Sequence, residues 1–153
     1  MKKIAIFPGS FDPFTCGHED IVNRALGFFD EVVIAIGDNS NKTRYFSVDL
    51  MTDKISETFK EEKRVRVQVF SGLTAHFAEK INADFIVRGL RNTTDFEYEN
   101  TISQANRHIN TKLETVFLIT SPALSAISST IVRELHKYGG DIVDFIPYKL
   151  DNQ

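Results

Sequence analysis

A single cysteine in 153 residues, Cys16, excludes an internal disulfide. Also missing is any apolar run approaching the ~20 residues needed to cross a bilayer, so no membrane span is expected. Positive charge is not in excess: 18 Lys and Arg stand against 21 Asp and Glu, for a net charge of −3. Bulk electrostatics therefore give no reason to expect a nucleic-acid partner, whose footprint would be a basic face. Any anion site must be local. Repeats, low-complexity tracts and linkers are absent too. With 42% hydrophobic and 25% charged residues, the chain can bury a core without staples, and one domain over residues 1–153 is expected. The first residues read as a strand rather than as the apolar core of a signal peptide, which points to the cytoplasm.

What is present alternates. Short runs rich in Val, Ile and Phe recur at Lys3–Phe7, Glu31–Ile36, Val65–Phe70, Asp84–Val87 and Thr115–Ile119, each bounded as a buried strand would be. Helical spacing separates them. Val48, Met51, Ile55 and Phe59 share one face behind Ser47 as N-cap, and Leu73, Phe77 and Ile81 form a shorter stripe. Thr94-Asp95-Phe96-Glu97 has the form of a capping box, with Glu97 as the structural partner, opening a helix that would turn Phe96, Ile102, Ala105 and Ile109 to the core. Ser128 or Ser129 opens the last helix, which Gly139-Gly140 ends. The tail from Asp141 is expected to add one short helix near Pro147. This alternation implies an α/β fold: a Rossmann-like, doubly wound, parallel five-stranded sheet with right-handed crossovers.

Chemistry concentrates in Phe7-Pro8-Gly9-Ser10-Phe11-Asp12-Pro13-Phe14-Thr15-Cys16-Gly17-His18, where a buried strand passes through a small-residue loop into a helix. Such a loop lies at the carboxyl edge of the sheet, where unpaired N–H groups of the first helical turn suit an anion. His18 can donate to the same anion, Ser10 can add a hydroxyl, and Gly9 and Gly17 are expected to relax the turn and admit a ligand. Lys42 sits in the polar loop after the second strand, within reach of a phosphate at that edge, while Arg44 is left to solvent. Arg88 and Arg91 follow a strand and bracket Gly89 and Leu90, a placement suited to phosphate. Leu124-Ser125-Ala126-Ile127-Ser128-Ser129-Thr130 ends at a second helix start with hydroxyls and N–H groups together. The carboxylates lack the grouped spacing of an all-protein metal cage. Cys16, beside a helix start and basic side chains, is expected to be a reactive thiol without a catalytic role.

Gly9-Ser10-Phe11-Asp12-Pro13 followed by Thr15-x-Gly17-His18 resembles the signature of the nucleotidyltransferase superfamily, with Thr in place of the first His of His-x-Gly-His. Adding Lys42, Arg88-Gly89-Leu90-Arg91, Asp95–Glu99 and Ile127–Thr130, the chain resembles the bacterial phosphopantetheine adenylyltransferases over nearly its whole length. The resemblance implies adenylyl transfer from ATP to 4′-phosphopantetheine, giving dephospho-coenzyme A and pyrophosphate by direct attack. It also implies Mg²⁺ arriving with ATP and held mainly by phosphates and water, and a homohexamer. By the same resemblance His18, Lys42 and Arg91 are catalytic, and Ser10, Lys42, Thr74 and Arg88 face the acceptor. Ser10, Phe11, His18, Gly89, Leu90, Arg91, Glu99 and Leu124 through Thr130 (Leu124, Ser125, Ala126, Ile127, Ser128, Ser129, Thr130) face ATP. Leu124 departs from a frequent tryptophan and Thr74 from a commoner apolar residue. The rival readings are an adenylyltransferase for nicotinamide mononucleotide, a polyol-phosphate nucleotidyltransferase, and a nucleotide sensor without chemistry.

Overall fold

The computed structural model describes residues 1–151. The elements alternate as β1 (Ile4–Gly9), α1 (Cys16–Ala25), β2 (Glu31–Gly37), α2 (Val48–Thr58), β3 (Val65–Phe70), α3 (Thr74–Lys80), β4 (Phe85–Leu90), α4 (Thr93–Ile109), β5 (Glu114–Ile119) and α5 (Ser129–Lys137), with one 3-10 turn at Pro122–Leu124. All five strands are parallel, in the order β3-β2-β1-β4-β5. The order reverses between β1 and β4, so the loops after these two strands diverge and leave a crevice at the carboxyl edge.

Both faces of the sheet are covered, which is why β1 and β2 are apolar along their length. On one face α1, α2 and α5 bring Ile21, Val22, Met51, Ile55 and Val132 onto Phe7, Val32, Ile34 and Val87. On the other, Ala75, Phe77 and Ala78 of α3 meet Ile6, Val33 and Ile86. The caps at Ser47 and Ser128 form as the sequence predicts: their hydroxyls accept from the N–H groups of Leu50 and Ile131. Gly139, at φ +75°, ends α5.

Four expectations are corrected. Asn92, not Thr94, caps α4, accepting from the Asp95 N–H at 2.9 Å, so Glu97 has no capping partner role. Phe96, Ile102, Ala105 and Ile109 are exposed, and the residue α4 buries is Glu99; an ion pair described below, rather than apolar burial, sets the rotation of this helix. The tail from Asp141 forms no helix. It turns at Val143–Phe145 and runs on with Ile142, Ile146, Tyr148 and Leu150 in the core. Strand β4 also runs three residues past the predicted Val87, because Arg88, Gly89 and Leu90 still pair with Phe117, Leu118 and Ile119 of β5.

The tail has a task. Four successive carbonyls of the β1–α1 loop each accept from a side chain outside it: Phe11 from Arg44 Nη2 (3.2 Å), Asp12 from Arg133 Nη1 (2.5 Å), Pro13 from Ser129 Oγ (2.8 Å) and Phe14 from the Tyr148 hydroxyl (2.7 Å). The Tyr148 bond is buried, so removing its donor leaves a carbonyl without a partner. Tyr148→Phe is expected to lower the unfolding free energy by about 1–2 kcal/mol. Urea denaturation monitored by circular dichroism measures this, and wild-type stability would mean that the tether carries no weight.

Candidate active site

The crevice follows from a proline. Strand β1 pairs with β4 only at Ala5↔Phe85 and Ile6↔Ile86, and Pro8 has no N–H with which to continue the ladder. The Pro8 carbonyl accepts instead from Arg88 Nη1, whose side chain crosses the gap. Glu99 of α4 holds the other edge of that guanidinium in two bonds, Nε to Oε2 at 2.8 Å and Nη2 to Oε1 at 2.5 Å. This fork geometry fixes Arg88 as a wall, with its remaining N–H groups available to a phosphate.

The wall divides two cavities. The first, about 310 Å³, lies between the β1–α1 loop, the end of β4 and the start of α5; the second, about 370 Å³, lies between β1, Lys42, Thr74 and α4. Pro8, Gly9, Ser10, Arg88 and Glu99 border both. Of the residues expected on the nucleotide side, Ser10, Phe11, His18, Gly89, Arg91, Glu99, Leu124, Ile127, Ser128, Ser129 and Thr130 border the first cavity. Leu90 does not, being 5% exposed with its side chain in the core, and Ser125 and Ala126 lie on the outer, exposed bend of their segment. The four residues expected on the acceptor side, Ser10, Lys42, Thr74 and Arg88, all border the second cavity.

His18 is set by its own cap. Thr15 Oγ1 accepts from the His18 N–H, and the His18 Nδ1 accepts from the Thr15 N–H at 3.0 Å. With Nδ1 an acceptor, the neutral ring carries its proton on Nε2, away from the backbone. The rings of Phe11 and Phe14 pack on it at 5.1 and 5.4 Å. Burial, then the charges of Arg88 and Arg91, push its pKa down to about 3. The imidazole is therefore a neutral hydrogen-bond donor, not a cation.

Space rather than turn flexibility explains two glycines. A Cβ on Gly9 would lie 3.0 Å from the Phe11 ring, and one on Gly89 would lie 3.1 Å from Ile21 of α1. Phe11 itself takes φ +47°, a conformation costing about 1–2 kcal/mol that its packing against Phe7, Phe14 and His18 offsets. Arg44, expected in solvent, instead donates to the carbonyls of Phe11 and Phe46, while the Asp12 carboxylate accepts from the N–H groups of Tyr45 and Phe46. Lys42 is exposed on the loop so anchored.

Sequence reasoning assigned no site role to Thr120 and Asp95 on the first cavity or to Tyr98, Ser103 and Asn106 on the second, although Asp95 and Tyr98 lie in the Asp95–Glu99 segment that carries the resemblance. The three on the second cavity share α4 with Glu99 and Ile102, and the i, i+4 rows 98-102-106 and 99-103 were a readable signal. Asp95 accepts from the Arg91 side chain and backbone N–H, both at 3.1 Å. Cys16 borders neither cavity. Burial, Glu19 and Asp144 raise its pKa, so the expected activated thiol is corrected to a sluggish one.

The sequence profile of the cytidylyltransferase-like family matches residues 6–135. A phosphopantetheine adenylyltransferase of Cytophaga hutchinsonii is 61% identical over 150 residues, 98% of this chain and 100% of the relative. One of Bacteroides thetaiotaomicron is 50% identical over 147 residues, 96% of each. Among solved structures, a bifunctional NMN adenylyltransferase/ADP ribose pyrophosphatase from Francisella tularensis, complexed with AMP and a manganese ion, matches with a TM-score of 0.68 at 16% identity. That match covers 98% of this chain and 46% of the other, and it concerns the fold alone.

Two measurements check the electrostatics. With its folded pKa near 3 below the ordinary 6.5, His18 binds a proton more readily when unfolded, so stability falls as pH drops from about 6.5 toward 3, by at most about 1.4 kcal/mol per pH unit. His18→Asn should flatten that slope, and the ring resonances of His18 should not titrate between pH 5 and 8; a midpoint near 6.5 would sink the neutral-donor description. Cys16 should react with Ellman's reagent at pH 7 more slowly than free cysteine, and faster reaction would restore the activated thiol.

Proposed function

The chain belongs to the phosphopantetheine adenylyltransferases of the cytidylyltransferase-like family, and from that membership we propose how its two cavities divide the reaction. It transfers an adenylyl group from ATP to 4′-phosphopantetheine, releasing pyrophosphate and leaving dephospho-coenzyme A. Relatives of that activity match nearly the whole chain at 46–61% identity, so the nicotinamide-mononucleotide, polyol-phosphate and sensor readings are not favoured.

The observation that carries the division is the shared wall of Ser10, Arg88 and Glu99 between the two cavities. ATP occupies the cavity of His18 and α5, and the acceptor phosphate enters past Lys42 and Thr74. An oxygen of that phosphate attacks the α-phosphorus at the wall; the new P–O bond forms as the bond to the β-phosphate oxygen breaks, and pyrophosphate leaves. The acceptor is already an anion, so no protein nucleophile is required. The protein aligns two phosphates and stabilises the charge that accumulates between them. His18 Nε2–H and the Ser10 hydroxyl donate to that charge, Arg88 supplies a fixed fork, and Lys42 and Arg91 neutralise from either side. Ser128 has its hydroxyl committed to the cap, so the N–H groups of Ser129 and Thr130 at the positive end of α5 remain for the departing phosphates.

A divalent cation, Mg²⁺ in this proposal, would neutralise phosphate charge. The carboxylates bordering the first cavity, Asp95 and Glu99, are occupied by Arg91 and Arg88, so among the described residues that cavity has no free carboxylate cage, and in this proposal the ion travels with the nucleotide phosphates and water. The rest of the reading is one domain over residues 1–153, working in the cytoplasm as a hexamer of identical chains, with no nucleic-acid or membrane partner. The exposed apolar side chains of α4 suit such an assembly.

Pyrophosphate release from ATP should require 4′-phosphopantetheine and fail with nicotinamide mononucleotide or glycerol phosphate. His18→Ala should lower turnover by about 3 kcal/mol in activation free energy while changing ATP affinity little. Lys42→Ala should weaken the acceptor more than ATP, and Arg91→Ala should weaken ATP. Calorimetric titration of each ligand separates these outcomes. Equal losses for both ligands in both variants would overturn the division, and retained turnover in His18→Ala would overturn its role.

A further inference from the structure

Residues 121–127 form the outer rim of the nucleotide cavity, with Leu124 and Ile127 on its lining. Their backbone bonds are almost all local: Leu124 N–H to the Ser121 carbonyl, Ser125 N–H to Pro122 and Ile127 N–H to Leu124, at 2.9 to 3.4 Å. The Ser125 hydroxyl also turns back to the Pro122 carbonyl. Pro122, Ala123, Ser125 and Ala126 are exposed, and the rim's packing against the core is made at its far end, by Ile127. Among the described residues, one hydrogen bond leaves residues 121–127 for another part of the chain: the Ser121 hydroxyl donates to Asp20 Oδ2 at 2.8 Å.

Asp20 stands on firm ground. Helix α1 is seated in the core by Ile21, Val22 and Ala25, and it presents His18 at its first turn and Asp20 in the next. The same Oδ2 accepts from Arg24 Nη1 at 3.2 Å, and that Arg24 nitrogen also donates to the carbonyl of Ile119, the last residue of β5, at 2.8 Å. The carboxylate and guanidinium thus grip both ends of the turn into the rim, Ile119 before it and Ser121 at its start. Neither Asp20 nor Ser121 borders either cavity.

We propose that Asp20 and Ser121 are positioning residues for the nucleotide, a clasp that fixes the rim 121–127 to the helix carrying His18. The inference rests on the nucleotide reading of the first cavity. A bound nucleotide pays for ordering whatever part of its site is loose when free, so a rim already held costs less to close. The clasp acts on ATP and not on the acceptor, whose cavity lies across the Arg88 wall.

The test is isothermal titration of the full-length protein with ATP and with 4′-phosphopantetheine, together with steady-state kinetics. Ser121→Ala should weaken ATP binding roughly 5–15-fold, less than the full worth of a hydrogen bond to a charged group because the rim keeps its local bonds. Turnover at saturating ATP and affinity for the acceptor should stay within about twofold. Ser121→Thr, which keeps the hydroxyl, should restore ATP affinity, and Asp20→Ala should match or exceed the loss in Ser121→Ala. Thermal unfolding of each variant identifies a loss caused by misfolding, which would strike both ligands alike and count against the clasp. Unchanged ATP affinity in Ser121→Ala overturns the proposal, whereas wild-type protein that bound no ATP would overturn the nucleotide reading itself.

Discussion

Everything at this site depends on the place where two neighbouring strands stop pairing. Pro8 cannot donate to β4, so the β1–β4 ladder ends after two residue pairs and the strands part at the edge where an α/β sheet binds ligands. A gap of that kind exposes a backbone carbonyl that must find a donor. Arg88 supplies it from within β4, which draws a guanidinium into the middle of the crevice. A buried cation needs a counter-charge, and Glu99 provides it from α4. One missing N–H therefore accounts for the wall, for the rotation of α4 and for the existence of two cavities instead of one.

The same economy governs the β1–α1 loop. Its four successive carbonyls are taken by Arg44, Arg133, Ser129 and Tyr148, from the loop bearing Lys42, from both ends of α5's first two turns and from the tail. Donors from three segments converge on acceptors of one. The loop is consequently held from behind, leaving its donor groups to the ligand side, and the Lys42 loop and the α5 start are held in register with it. Preorganisation of this kind lowers the rearrangement needed when charge develops.

Strand positions, the cap at Ser47, a cap at Ser128 or Ser129 and a site at the carboxyl edge after β1 were legible in the sequence because each is a local pattern: a short apolar run, a hydroxyl before a helical stripe, a small-residue loop after a strand. What was illegible is tertiary. Thr94 and Glu97 satisfy the capping-box pattern, yet Asn92 lies two residues earlier and its side chain reaches the Asp95 N–H first. The apolar residues of α4 suggested a buried face, but the pairing of Glu99 with Arg88 turned them outward. Cys16 was read from its helix start and basic neighbours in sequence, whereas burial, then Glu19 and the returning tail with Asp144, push its thiol the other way. Arg44 looked like a solvated loop residue until the Phe11 carbonyl appeared beside it.

These corrections bear on how the site manages charge. Two anions must meet, yet a cluster of bare cations waiting in a partly dry crevice would be costly to hold in the free protein. Arg88 is neutralised by Glu99 and Arg91 by Asp95, and His18 is kept uncharged by burial and by those same arginines. The interior thus presents oriented N–H groups with little net charge. Lys42, which makes no ion pair among the described residues, waits in solvent on an exposed loop, where its charge is hydrated until an anion arrives. In the proposed reaction, net positive charge would come from the rim and direction from the interior. A neutral His18 fits the proposed division: in that proposal its hydrogen bond would strengthen as the phosphoryl oxygens gain charge, with no proton exchange with solvent required.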